Sequence, residues 1–157
     1  MAMPLSPIPT ADPMVDRPTL RMLANWYRWF SELTERMTNT STSLGRTSQT
    51  GLSGSVTPTV LFTPSIRGLY RVSWALQLTR AATTSSSVTV TIGWTSGGVS
   101  QSQTFPAVTG NTTTTGASGV VLMLPDPSTG VTIQTAYSSS GATTMQYALS
   151  ASVELVP

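Results

Sequence analysis

The sequence predicts a mainly β protein: an antiparallel β-sandwich preceded by an extended proline-rich arm and one N-terminal amphipathic helix. Three observations carry this. Over residues 57–157, apolar and polar residues alternate with period two in several runs. That is the pattern of strands with one buried and one solvated face. Turn-forming clusters such as Ser96-Gly-Gly, Thr109-Gly-Asn and Asp126-Pro-Ser-Thr-Gly separate those runs. Upstream, over residues 19–40, apolar residues recur at alternating steps of three and four instead, which is a helical period.

The arm, residues 1–18, holds Pro4, Pro7, Pro9, Pro13 and Pro18. Proline fixes φ and removes a backbone donor, so this spacing favours extended, polyproline-II-like chain over helix or ladder. The arm also carries Leu5, Ile8, Met14 and Val15, more apolar surface than a purely solvated linker needs. These four side chains are the expected anchoring contacts, laid along a partner.

The stem, residues 19–40, places Leu23, Trp26, Phe30, Leu33 and Met37 on one seam, with Trp29 and Tyr27 widening it. Asp16 suits the N-cap and Pro18 the first turn. Arg28, Glu32 and Arg36 are spaced i,i+4 on the opposite face. A patch holding Trp26, Trp29 and Phe30 within five residues requires burial by other copies or by a partner. It is therefore read as an oligomerisation or docking helix. Residues 41–56, rich in Ser, Thr and Gly, read as a linker.

The head, residues 57–157, contains seven expected strands. Tyr70, Val72, Trp74, Leu76 and Leu78 alternate within Gly68–Arg80. Val88, Val90, Ile92 and Trp94 do so within Ser86–Thr95, and Met145, Tyr147, Leu149, Ala151, Val153 and Leu155 within Thr143–Val156. Shorter runs are Pro58–Phe62, Val99–Phe105, Gly119–Leu124 and Val131–Tyr137. Seven strands in this length, with no helical pattern, give a β-sandwich.

Composition narrows the chemistry. The chain of 157 residues has no Cys, no His and no Lys; its 8 basic residues are all Arg, against 6 carboxylates, and 9% of residues are charged. Ser and Thr make up about a third. Without His, Cys or Lys, the common bases and activated nucleophiles are missing. Of the six carboxylates only Asp126 and Glu154 fall in the head, and they read as a turn residue and a solvated strand residue. No enzyme activity, cofactor or metal site is expected. The arginines are scattered along the chain rather than gathered on one face, so nucleic acid is not an expected partner. No apolar run approaches membrane-spanning length, and the first residues lack the basic and apolar regions of a secretory leader. A chain made in a cytoplasm, with no membrane partner, is the expectation.

Gly68-Leu-Tyr-Arg-Val-Ser-Trp-Ala-Leu-Gln-Leu resembles the Gly-x-Tyr strand of C1q/TNF-like jelly rolls, and Ala148-Leu-Ser-Ala-Ser-Val-Glu-Leu-Val-Pro resembles their closing strand. The layout of arm, Trp-rich helix and β head is similar to small bacteriophage fibre, head-spike and decoration proteins. The resemblance implies a jelly-roll head that forms a homotrimer through aromatic residues, for which Tyr70, Trp74 and Tyr147 are the candidates. It implies a virion structural protein, assembled in the host cytoplasm. Residues 1–40 would dock on other virion proteins of capsid, collar or tail, and the head would project. The alternative is a tail-fibre knob that binds a host-surface glycan, with loops Thr83–Ser87 and Thr109–Ser118 as its tips.

Overall fold

A computed structural model describes residues 15–16, 21–22, 26–31, 33, 43–113 and 115–156. The chain divides into two compact units, Met1–Thr42 and Ser43–Val156.

In the first unit, β1 (Val15–Asp16) pairs antiparallel with β2 (Arg21–Met22), matching Val15 with Met22 and Asp16 with Arg21. Arg21 and Met22, expected in the first turns of the stem, are therefore extended: a short ladder takes these positions before the helix. Residues 26–31 and 33 are helical. They carry Trp26, Trp29, Phe30 and Leu33. Leu5, Ile8, Met14, Leu23 and Met37 lie outside the described residues, and Val15 falls in β1.

Among the described residues the second unit is built from nine strands: β3 (Ser43–Leu52), β4 (Thr59–Phe62), β5 (Tyr70–Arg80), β6 (Ser85–Ser96), β7 (Val99–Thr104), β8 (Val108–Thr109), β9 (Gly116–Met123), β10 (Val131–Ser140) and β11 (Gln146–Leu155). All pairings are antiparallel. One sheet runs β3-β11-β5-β9; the other runs β4-β10-β6-β7, with β8 added on β6. Each of the seven expected runs overlaps one of these strands.

Period-two alternation does the sorting. In β5, Tyr70, Val72, Trp74, Leu76 and Leu78 are buried, and in β11 Tyr147, Leu149, Ala151 and Val153 are. From the other sheet, Val88, Val90, Ile92, Val131 and Ile133 join the same core. Two sheets sharing one core is the arrangement of a β-sandwich. The β6–β7 hairpin turns on Gly97 and Gly98, both at positive φ (60° and 76°), which only a two-residue turn of glycine-like residues accepts easily. Asp126 clamps that turn from outside: its Oδ1 and Oδ2 accept from the amides of Gly97 and Gly98 at 3.0 and 2.7 Å.

The linker reading of residues 41–56 is corrected. Ser43–Leu52 form β3, an outer strand that pairs with β11 from Tyr147↔Leu52 to Glu154↔Ser43. Its residues are exposed or half-buried, so its hold on the sheet comes from backbone hydrogen bonds rather than from an apolar face. The compact unit accordingly starts at Ser43, not at residue 57.

Candidate interface on the four-stranded sheet

Tyr70, Trp74 and Tyr147, the expected trimer contacts, are 1%, 4% and 0% exposed within a single chain. All three are consumed by the sandwich core. The Tyr70 hydroxyl donates to Ile66 O at 3.0 Å. Trp74 packs edge-to-face on Phe105 with centroids 4.7 Å apart. Tyr147 stacks on Tyr137. A residue that glues copies together must be accessible in the single copy, so these three are removed from that role. The resemblance pointed at residues on the inward side of β5 and β11.

The opposite side of the same sheet has a different character. Register places Ser48, Ser150, Ala75 and Ser118 in one row across β3, β11, β5 and β9. The next row is Arg46, Ser152, Ser73 and Val120, and a third pairs Ala148, Gln77 and Gly116. Apart from Arg46 and Gln77 these side chains are short, and apart from Arg46 they are uncharged. They leave two shallow depressions of about 570 and 410 Å³. Short side chains let another surface approach the sheet closely, which long solvated ones prevent.

A ridge borders this hollow. Along β9 and just past it, Val120, Leu122 and Leu124 are 55%, 59% and 53% exposed. One charged pair lies on the face: Arg71 Nε donates to Glu154 Oε2 at 3.2 Å, with a second bond from Nη2. Each ion neutralises the other, so the face carries little net charge there.

In the first unit, Trp26, Trp29 and Phe30 form a mutual aromatic cluster with centroids 5.2–6.1 Å apart. Tyr27 beside them is 68% exposed. The expected seam thus has Trp26, Trp29 and Phe30 in mutual contact and Leu33 on the same helical stretch.

Among the described residues, no three of His, Cys, Asp and Glu come together as a metal site would need. No helix among them is long and apolar enough to cross a membrane. Compared with known proteins, the chain matches no family model and no curated sequence.

Sequence reasoning missed this face because its residues carry no signal of their own. Serine and alanine at outward strand positions read as passive solvated residues. The signal becomes visible only when register lines up Ser48, Ser150, Ala75 and Ser118.

Proposed function

We propose that the chain is a structural subunit of a bacteriophage particle, a spike, fibre or decoration protein that assembles as a homotrimer. Residues 1–40 anchor it on other virion proteins and the β unit is displayed. The observation that carries the reading is the four-stranded face whose rows are mostly short, uncharged side chains, bordered by an exposed apolar ridge. In a closed ring each subunit offers two different patches, one to each neighbour. Here the ridge Val120-Leu122-Leu124 supplies one patch and the hollow around Ala75 and Ser150 the other. The ridge of one copy would fill the hollow of the next.

Strand order supports a jelly-roll head. In chain order β3, β4, β5, β6, β7, β9, β10 and β11 are eight principal strands. They divide between the sheets as first, eighth, third and sixth against second, seventh, fourth and fifth, the eight-stranded double-sheet pattern of jelly rolls. The aromatic cluster Trp26-Trp29-Phe30 supplies the apolar anchor for docking on the particle.

Light scattering on the full chain tests the assembly: about three times the 16.5 kDa of one chain is expected. A Trp26→Arg, Phe30→Ser variant should keep that mass and drop out of purified particles. A monomeric native chain, or a variant incorporated as well as wild type, overturns the reading.

A further inference from the structure

A second feature of the β unit adjoins the small-residue rows and shares Gly116 and Ser118 with them. A cleft of about 370 Å³ opens between Phe105–Thr109 on one side and Thr115–Ser118 on the other, with Trp74 at its floor. Pockets of this size suit small ligands or a few residues of peptide. No charged side chain lines it.

The floor carries an unmet demand. Trp74 is 4% exposed, and its Nε1 has no hydrogen-bond acceptor within the described residues. A buried N–H without a partner is costly. The indole edge lies under Gly119, where a Cβ would sit 2.7 Å from Nε1 and 2.8 Å from Phe105 Cε1. Only glycine leaves that space open. Phe105 is half-buried, Pro106 and Ala107 are exposed, and Ser118 is exposed on the other bank. One bank is β9, the outer strand of its sheet, so a row of backbone groups faces outward alongside the cleft.

An aromatic floor and one aromatic bank, an unpartnered indole N–H behind Phe105, no charge and a bordering strand edge match an extended proline-rich peptide. Polyproline-II chain makes no internal hydrogen bonds, so its carbonyls are free to accept. Its rings pack in aromatic-lined grooves. This sequence contains one such segment, Pro4-Leu-Ser-Pro-Ile-Pro9, with the Pro-x-x-Pro spacing and no charged side chain. Segment and cleft are thus both uncharged, and the donor on one meets acceptors on the other.

We propose that the cleft floored by Trp74 receives a proline-rich extended peptide, and that its occupant is the segment Pro4–Pro9 of a second copy of this chain. A carbonyl of the segment accepts from Trp74 Nε1 once Phe105 moves aside. The inference rests on the arm being a docking segment, and it names the partner for Leu5 and Ile8; Met14, Val15 and the helix keep the anchoring role.

The chain has no cysteine, so introduced thiols report only on themselves. Two full-length variants, Ser6→Cys and Ser118→Cys, are mixed and oxidised. A second mixture pairs Ser6→Cys with Ser65→Cys, an exposed position in the β4–β5 connection. Cross-linked dimer should form roughly tenfold faster at Ser118 than at Ser65, reflecting a raised effective concentration. In the ¹⁵N spectrum of the full chain, Pro4→Ala with Pro7→Ala should shift the Trp74 indole proton, identified by its loss in Trp74→Phe. Equal cross-linking at the two positions, or an unmoved indole proton, overturns the inference. If cross-linking is equal while the proline variant still drops out of particles, the arm docks on a different virion protein: this inference fails and the anchoring reading stands.

Discussion

The Tyr147 hydroxyl sits in a relay of hydrogen bonds that ties an irregular connection to the core. The Val56 amide donates to Thr135 Oγ1 at 2.9 Å, Thr135 bonds the Tyr147 hydroxyl at 2.7 Å, and that hydroxyl donates to Gly54 O at 2.8 Å. Tyr147→Phe removes the central member and leaves Thr135 and Gly54 O short of a partner. A destabilisation of about 1–3 kcal/mol is expected, read from urea unfolding. Burial also raises the phenol's pKa above its ordinary value of 10.0, although the bond from Thr135 opposes the shift. The folded state then holds its proton where the unfolded chain releases it. This contribution is complete below about pH 10 and is lost as pH rises through the folded value. Wild type should therefore lose stability more steeply than Tyr147→Phe in alkali. Asp126 has the opposite sign. The amide of Gly98 foremost, then that of Gly97, holds its carboxyl below the ordinary 3.8; slight desolvation opposes this, and the Arg67 guanidinium adds to it. Its contribution is present above the ordinary carboxylate range and disappears as pH falls through the lowered value. In Asp126→Asn, Tm should depend less on acid pH and exchange at the Gly97 and Gly98 amides should quicken. A variant that keeps wild-type acid dependence would show that the clamp does not matter to folding.

At the scale of elements, alternation made the long strands legible because burial of one face writes itself into the sequence. β5, β6 and β11 follow directly from Tyr70–Leu78, Val88–Trp94 and Tyr147–Leu155. β3 left no such trace. Of Ser43–Leu52 only Leu52 packs an apolar side chain against the core, and Ser, Thr, Gly and Gln serve a linker equally well. What makes it a strand is the unpaired edge of β11, a tertiary circumstance that no local pattern records. The expected trimer contacts, Tyr70, Trp74 and Tyr147, fell on the inward side for a related reason. Sequence marks which residues alternate, but an inward aromatic and an interface aromatic look alike until the second sheet is in place. Of the expected stem, residues 26–31 and 33 are helical, and the short β1–β2 ladder before them left no signal in the sequence. β3 has one checkable point of close packing. A Cβ on Gly45 would lie 2.3 Å from Leu61 O and 3.2 Å from the Phe62 Cβ, both in β4. Gly45→Val must push β3 off β4. We expect a loss of about 1–3 kcal/mol, with faster exchange confined to the β3–β11 amides. Uniform loss of protection across both sheets would instead mean that β3 is integral to the whole core.

Across the whole molecule, the four-stranded face sets how large an assembly contact can be. Strands lie about 4.8 Å apart and rise about 3.3 Å per residue. Four strands of roughly ten residues thus present a footprint on the order of 600 Å². A stable interface buries about 800 Å² per partner, so a contact of that size takes in the whole face, the ridge residues Val120 and Leu122 of β9 included, and reaches past its strands to Leu124. The two patches therefore predict different failures. Ala75→Arg with Ser150→Arg adds long charged side chains to the hollow without touching the core, because both residues point outward. The pair should convert the native species to monomer while leaving Tm of the isolated subunit and the far-ultraviolet spectrum unchanged. Val120→Ser with Leu122→Ser trims the ridge, removes apolar area and leaves the hollow intact. It should weaken assembly in a graded way, visible as a mass that falls on dilution. Mixing the two variants is the sharper measurement. In a ring built head-to-tail, a hollow-blocked copy still offers an intact ridge, and a ridge-trimmed copy still offers an intact hollow. Each mixed pair retains one good contact, and mixed dimers should appear that neither variant forms alone. If the face met its own counterpart across a two-fold axis, the single mixed interface would hold both defects at once, and no species with an undamaged interface could form.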